Sequence, residues 1–491
     1  MRMAWACVFV LPMMVRAQVP VAEGTPSASP WLETVRAAHE VRLLDDDTAA
    51  LENLLRMIGR ARRTMELEYF VFEPDRSGRL VLQALVAKAD EGVKIRILID
   101  HSPHEMEPGL DESYGAALAR HGIELRYFNV IDPVQFWKVG FRNHRKLLVV
   151  DDEEMLEGGR NIADGYFGMS EHMNYLDRDI WIKGPIARRA VQGFDLFWEA
   201  PVVERPRVLE EPVFVRQSSS AASTKGRTQA QEAAYYEICL KAFKSRLAET
   251  RETLTARQSD LELRQRVAER GGVELDRSPV VAVHSITLAV DTPTPGRAGR
   301  IATPYLHRRL AEVTRSLVIE NFIFMVKGEE KRLFLGLLAR GIRIDLLTNG
   351  FTSEPNGLMA EMANSRQNMA VDRGVNVYCY FSVPEADRIF SGKGAIWGLH
   401  TKTMVLDGRD SVIGSYNLDP RSESINDEGV IIVNDSPEFA LLLKGEIRKR
   451  IESATRMNPD GSYANGFHCC SPARLATILL RPFVEMAGEQ L

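Results

Sequence analysis

The sequence predicts an α/β protein built from two similar domains by internal duplication, with mostly parallel sheets flanked by helices and a helical insert between the copies. Three observations predict it. A strand–helix–strand order is written twice, a polar stretch and a heptad-spaced leucine series separate the two copies, and a rare side-chain pattern recurs once in each. In the first copy, residues 65–72 (MELEYFVF) form a short apolar and aromatic run that reads as a strand. Residues 80–89 have helical spacing, and Gly92 then opens VKIRILID, residues 93–100, a second strand. In the second copy, residues 317–324 (LVIENFIF) read as a strand, 331–339 as a helix, and Gly341 opens IRIDLLTN, residues 342–349. Glu68-Tyr69-Phe70-Val71-Phe72 aligns with Glu320-Asn321-Phe322-Ile323-Phe324, and Gly92 with Gly341. Alternating strands and helices imply a largely parallel sheet covered on both faces. Self-similarity at so long a period implies two domains packed together.

Between the copies, residues 217–228 (QSSSAASTKGRT) form a polar loop, and Thr228 is placed to cap a helix running to about Arg270, where Gly271-Gly272 stops it. Leu240, Leu247, Leu254 and Leu261 recur every seven residues, with Tyr236 and Phe243 beside them. Thr250, Arg257 and Arg264 interrupt the stripe, so we expect a mostly solvated helix or helical hairpin lying against the domains rather than a coiled-coil dimer. Pro293-Thr294-Pro295-Gly296 marks the loop before the second copy. The expected boundaries are 36–210 for the first domain, 211–300 for the insert and linker, 301–450 for the second domain, and 451–491 for a C-terminal amphipathic segment. Ahead of them, Arg2 precedes thirteen uncharged residues, 3–15, and Ala17 offers a small residue for cleavage. Residues 1–17 therefore read as a secretory signal and 18–35 as a Pro/Ser/Ala-rich linker.

Composition bounds the function. Hydrophobic residues make up 45% and charged residues 26% of the 491, an ordinary globular balance that excludes a disordered or fibrous chain. The 62 basic and 67 acidic residues sum to −5, which gives no global basic footprint for coating nucleic acid. Five cysteines without paired spacing argue against a disulfide scaffold or a structural zinc site.

The chemistry is concentrated in two octapeptides. His144-Arg145-Lys146-Leu147-Leu148-Val149-Val150-Asp151 and His400-Thr401-Lys402-Thr403-Met404-Val405-Leu406-Asp407 both place His, Lys and Asp at offsets of two and seven. His and Lys two apart on a strand point to one face and can meet one ligand. One such pattern arises by chance about 0.03 times in a chain of this size. Two copies, one in each half of a duplication, are a strong signal. Each is followed by a glycine turn that delivers an asparagine, Gly158-Gly159-Arg160-Asn161 and Gly414-Ser415-Tyr416-Asn417, where backbone N–H groups and an amide can approach an anion. Asp177 and Glu428, each followed by an apolar strand, are expected to orient the histidine of their own domain.

These paired H-x-K-x4-D motifs resemble those of the phospholipase D superfamily. The runs GRNIADGYF (159–167) and GSYNLDPRS (414–422) are similar to those of bacterial cardiolipin synthases, phosphatidyltransferases of that superfamily. The likeness covers about residues 43–435, apart from the insert. Arg145 departs from the Asn usual in close relatives. The resemblance implies two phospholipase D-like domains with one active site between them, with the motif residues His144, Lys146, Asp151, His400, Lys402 and Asp407 as its catalytic set. It favours His144 as nucleophile and His400 as acid and base. It implies phospholipid substrates, phosphatidylglycerol and also phosphatidylethanolamine, met at a membrane surface. The expected place is the bacterial cell envelope, exported to the periplasm or peripheral on the inner membrane.

The residues support the same chemistry directly. Two histidines and two lysines with few carboxylates suit a phosphodiester better than a hard metal, so no metal and no cofactor are expected. One histidine attacks phosphorus and the other moves the proton, while Lys146, Lys402, Asn161 and Asn417 hold the non-bridging oxygens. With Ser415 in the same turn, these asparagines form the expected substrate-binding set. Asp151 and Asp407 are expected to organise the sheet and the domain interface rather than touch substrate. A hydrolytic phospholipase D is the alternative, and a nuclease a weaker one given the charge balance. Phe136-Trp137-Lys138 has the character of a membrane-interface loop, and residues 472–491 of a short amphipathic stretch. His468-Cys469-Cys470 is read as incidental, and Glu68 and Glu320 as locally hydrogen-bonded.

Overall fold

The computed structural model describes residues 32–101, 109–130, 140–206, 229–255, 258–295, 297–350, 353, 367, 370, 373–381, 395–458 and 462–464. The signal segment, most of the linker, Phe136-Trp137-Lys138, the polar loop at 217–228, His468-Cys469-Cys470 and the stretch from Pro472 lie outside the described residues. No helix among the described residues is long and apolar enough to cross a membrane.

The first half runs β1 (Leu32–Leu44), α1 (Asp47–Arg60), β2 (Thr64–Tyr69), α2 (Arg76–Asp90), β3 (Lys94–Asp100), α3 (Glu112–Ala119) and β4 (Ile123–Phe128). It continues β5 (Leu147–Val150), β6 (Glu154–Gly158), β7 (Met173–Leu176), β8 (Asp179–Lys183), α4 (Ile186–Trp198) and β9 (Val203–Glu204). The insert is α5 (Gln229–Thr255) and α6 (Gln258–Arg277). The second half runs β10 (Val280–Val290), α7 (Ala302–Ala311), β11 (Ser316–Asn321), α8 (Gly328–Ala339), β12 (Arg343–Asn349) and β13 (Asn376–Tyr380). It closes with β14 (Ile396–Leu399), β15 (Lys402–Leu406), β16 (Asp410–Gly414), α9 (Pro420–Ser424), β17 (Gly429–Val433), α10 (Pro437–Ser453) and β18 (Thr455–Arg456).

The strands form one 16-stranded sheet in the order β18-β13-β12-β11-β15-β16-β17-β10-β1-β8-β6-β5-β2-β3-β4-β9. Read outward from its centre, the two halves repeat the same order strand for strand. The duplication is therefore a fact of topology as well as sequence. Within this sheet the expected mostly parallel pairing holds for β2-β3-β4 and β11-β12-β13. The rest of the large sheet is antiparallel, because the strand after each motif turns back within three residues, too short a link for a parallel crossover. The boundary of the second half also moves. Residues 280–290, assigned to the insert from sequence, form β10, the counterpart of β1, and the two pair antiparallel across the centre of the sheet. That pairing joins the halves into one body.

One core lies on the α4 and α10 face and runs unbroken across both halves, from Phe194 and Phe197 to Phe439, Leu443 and Ile447. The opposite face carries two separate cores, one under α1 and α2 and one under α7 and α8. The insert is a helical hairpin packed on α1, α2 and α3. Its heptad stripe is uneven: Leu240 and Leu247 are half-buried, Leu254 is buried in the first core, and Leu261 is 59% exposed. Thr250, polar within the stripe, is buried against Ser113 through a 2.7 Å hydroxyl contact.

The motif aspartates do not lie at the histidines. Asp151 follows β5 at its far end, where its carboxylate accepts the backbone N–H groups of Arg62, Arg63 and Thr64 at 2.6–3.0 Å. Asp407 does the same for Thr314, Arg315 and Ser316. Both sit at φ of 55°, a left-handed conformation that Asp tolerates better than most residues. Seven residues of strand carry them about 20 Å from their histidines. They fasten the start of β2 and β11 within their own half, so neither the catalytic nor the interface role survives. Asp151→Ala is expected to lower the unfolding free energy by about 1–3 kcal/mol in urea while leaving turnover per folded molecule largely intact. Lost turnover with an unchanged unfolding midpoint would contradict this assignment.

Candidate active site

His144 lies just ahead of β5 and His400 just ahead of β15, and each is docked by its backbone on the other half. His144 N donates to Asp427 O at 2.9 Å, and His400 N to Leu176 O at 2.7 Å. The second contact extends a two-stranded parallel sheet of β7 and β14 that pairs Leu176 with Leu399. An isolated bridge between Asn143 and Asp427 takes its place on the other side.

This docking crosses the carboxylates over. His144 Nδ1 lies 3.1 Å from Glu428 Oε2 and 3.1 Å from the carbonyl oxygen of Ser415. His400 Nδ1 lies 2.6 Å from Asp177 Oδ2. Each carboxylate serves the opposite half's histidine, which corrects the own-domain expectation. The reason is distance: β6 separates β8 from β5, so Asp177 sits two strands, about 10 Å, from its own half's histidine. Because Ser415 O and Glu428 only accept, Nδ1 of His144 must carry the proton, leaving the Nε2 lone pair for chemistry.

The two dyads are not equal. Glu428 accepts from the hydroxyls of Ser415 and Ser422, the latter at 2.6 Å, as well as from His144. Gly159 stands where Ser415 would be beside Asp177, and a Cβ there would come within 2.2 Å of the Asp177 carboxylate. Burial pushes both acids up. For Glu428 that push is outweighed by His144, Lys146 and Ser415, which hold it below the usual carboxylate range. Asp177 ends raised despite Lys402 and Arg160.

Lys146 and Lys402 each donate to the carbonyl oxygen of their own motif's histidine. Their ammonium groups stand over the rings of Phe70 and Phe322 at 5.3 and 5.5 Å. Burial and the charge of Lys402 depress Lys146 well below its ordinary value, and burial brings Lys402 down to about 8. Burial, then Lys146, lowers His144 to about 4, and burial with both lysines puts His400 well below the usual range. The site thus gathers four buried basic groups that disfavour one another's charged forms. An entering anion would relieve all four together.

The sequence-predicted substrate set is only partly free for substrate. Ser415 is committed to positioning, its hydroxyl on Glu428 and its carbonyl on His144. Asn161 accepts from Val71 N and donates to Tyr166 Oη at 2.8 Å, so it braces the first half's turn rather than lying open to a ligand. Asn417 has an amide oxygen with no partner among the described residues and remains the better candidate. Arg160, in the same turn, has a role that the sequence alone does not show. Its guanidinium donates to Asp177 O, Asp179, Asp47 and the carbonyls of Leu44 and Asp45, clamping the turn that presents Asp177. Arg145, the departure from the usual Asn, is fully buried on Glu68 at 2.9 Å. Glu320 is bridged by Arg178 and Arg450 at 2.7 and 2.6 Å, tying the halves beside the site. Ser422, Tyr166, Tyr175, Phe70 and Phe322 were also missed as site residues, although the Phe70/Phe322 alignment was visible in the repeat.

Histidine side-chain NMR checks the crowding. Without ligand, neither imidazole should show the ordinary titration near pH 6.5, and inorganic phosphate should raise both pKa values. The linked stability has a definite sign. The unfolded chain takes up a proton near pH 6.5 and His144 in the fold only near 4, so stability is full above about 6.5 and is lost as pH falls toward 4. An imidazole titrating normally without ligand would contradict the packing of four bases in one cleft.

Comparison with known proteins places the chain in a family. The family described as "Cardiolipin synthase, PLD-like domain" matches twice, over residues 54–198 and 306–451. The chain is 26% identical over 424 residues to cardiolipin synthase C of Escherichia coli, covering 82% of this chain and 83% of that one. It is 32% identical over 166 residues to cardiolipin synthase A of Pseudomonas entomophila, covering 33% and 34%. An uncharacterized protein of Helicobacter pylori is 26% identical over 428 residues, covering 81% and 76%. Among solved structures, a phosphatidylserine synthase of Haemophilus influenzae superposes with a TM-score of 0.63 at 15% identity over 92% of this chain and 94% of that one, a likeness of fold. The two matches together span more than half of the chain, which therefore belongs to the family described as cardiolipin synthase, phospholipase D-like domain.

Proposed function

We propose that the protein is a phosphatidyltransferase that joins phospholipids into cardiolipin through a phosphohistidine intermediate. The observation that carries this reading is the pair of crossed histidine–carboxylate dyads meeting two buried lysines in one cleft. His144 Nε2 attacks phosphorus, the bond to the leaving alkoxide breaks, and His400 gives that oxygen a proton. Glu428, ionised and held by two serines, stabilises the positive imidazolium that phosphorylation creates. The anionic diester supplies the negative charge the cleft lacks and raises His400 toward the protonated form an acid needs. Lys146 and Lys402, fixed before substrate arrives, meet the charge on the non-bridging oxygens.

The intermediate then meets an alcohol or water. Water is present at about 55 M, and a well-oriented alcohol reaches effective molarities of about 10⁵ M, enough to prevail. Relatives named cardiolipin synthase support a phospholipid substrate; we take it to be phosphatidylglycerol, with phosphatidylethanolamine as a further donor, met at a membrane surface of the bacterial envelope. Purified protein given phosphatidylglycerol, alone or with phosphatidylethanolamine, is expected to form cardiolipin in excess of phosphatidic acid. Phosphatidic acid alone at every lipid density would replace this reading with a hydrolase, and cleavage of single-stranded DNA with neither lipid reacting would make the protein a nuclease. His144→Ala and His400→Ala should each abolish turnover, and the double variant should be no worse, since groups acting as one unit are non-additive. Substantial activity in either single variant would refute a shared site.

A further inference from the structure

His400 is walled by aromatic rings. Tyr166 lies 5.1 Å from it edge-on, Tyr175 at 5.3 Å and Phe322 at 5.2 Å. Tyr166 and Tyr175 also stack on each other at 4.9 Å. All three are half-buried rather than sealed in the core. Among the described residues His144 meets one ring, Phe70 at 5.2 Å. The repeat shows why the walls differ. Tyr166 and Ser422 both stand five residues after the turn asparagine, and Ser422 spends its hydroxyl on Glu428. Tyr175 sits in β7 two residues before Asp177, on the segment that reaches across to the second half.

We propose that Tyr166 and Tyr175 form the acceptor subsite, which holds a polyol carried on a lipid headgroup against His400 and so sets the ratio of transfer to hydrolysis. This rests on the transferase reading above. The C–H faces of a polyol pack on aromatic rings, whereas water gains nothing from them. Tyr166 Oη accepts from Asn161 Nδ2, and its own proton has no acceptor among the described residues, so it is available to an acceptor hydroxyl. In the step this serves, the P–Nε2 bond of phosphorylated His144 breaks and a P–O bond to the acceptor forms. The hydroxyl proton passes to Nε2 of His400. A wall on the His400 side places the acceptor at the base that must deprotonate it.

The test is a product ratio, measured on the full chain with phosphatidylglycerol vesicles as both donor and acceptor. Cardiolipin and phosphatidic acid arise from one intermediate, so their ratio does not depend on how much variant folds. Tyr175→Leu and Tyr166→Leu are each expected to lower the cardiolipin-to-phosphatidic acid ratio about fivefold, the scale of one lost ring contact, and Tyr175→Phe to keep it. An unchanged ratio in both leucine variants overturns the proposal. Loss of both products together also overturns it, since the tyrosines would then serve the general machinery. A wild type that releases only phosphatidic acid is a different result: it refutes the synthase reading, and the acceptor wall falls with it.

Discussion

Each motif imidazole depends on a carboxylate from the other half, and much of the structure keeps that exchange in register. His144 reads Glu428 and His400 reads Asp177, over distances of 3.1 and 2.6 Å that a small shift between the halves would destroy. Three devices hold the halves. The pairing of β1 with β10 makes the two sheets one, the α4/α10 core runs unbroken beneath the joint, and Arg178 and Arg450 bridge to Glu320 and Asp45 beside the cleft. A half alone holds a histidine and a carboxylate, but not a pair that can work together.

The cost of this arrangement is electrostatic. Two lysines and two imidazoles are buried in one cleft with two carboxylates, and burial drives the basic groups toward neutrality. Such a cleft is poised for an anion, because a phosphodiester offsets repulsions that the protein alone leaves in place. The duplication began from symmetry, and small substitutions have since broken it. Ser415 and Ser422 give Glu428 two hydroxyl donors; Gly159 and Tyr166 give Asp177 none and put an aromatic ring at His400 instead. Proposed nucleophile and proton carrier are thus distinguished by neighbours rather than by motif.

Much of this was legible in the sequence. The βαβ units showed through their periodicity and through Gly92 and Gly341, which take positive φ of 94° and 73° just past their helices. The H-x-K spacing located both ends of the cleft. What stayed hidden was non-local. Residues 280–290 carry a strand pattern, but only the pairing with β1 shows that they open the second half. The offset of Asp177 from His144 equals nothing in space once β6 lies between them. Ser415 reads as a ligand for an anion until Glu428 is seen beneath it, and nothing local marks Tyr166 or Tyr175, because His400 arrives from 225 or more residues downstream in the chain.

The crossed pairing with divided roles is most directly tested by burst kinetics on phosphatidyl-p-nitrophenol, whose leaving group departs without a proton. In Asp177→Asn, His400 is impaired, so nitrophenol should appear as a rapid stoichiometric burst while the phosphoryl adduct accumulates on His144, detected by mass spectrometry. In Glu428→Gln, His144 itself is impaired, and the burst should be slow with little adduct. The reverse pattern, a slow burst in Asp177→Asn and accumulated adduct in Glu428→Gln, would contradict the account.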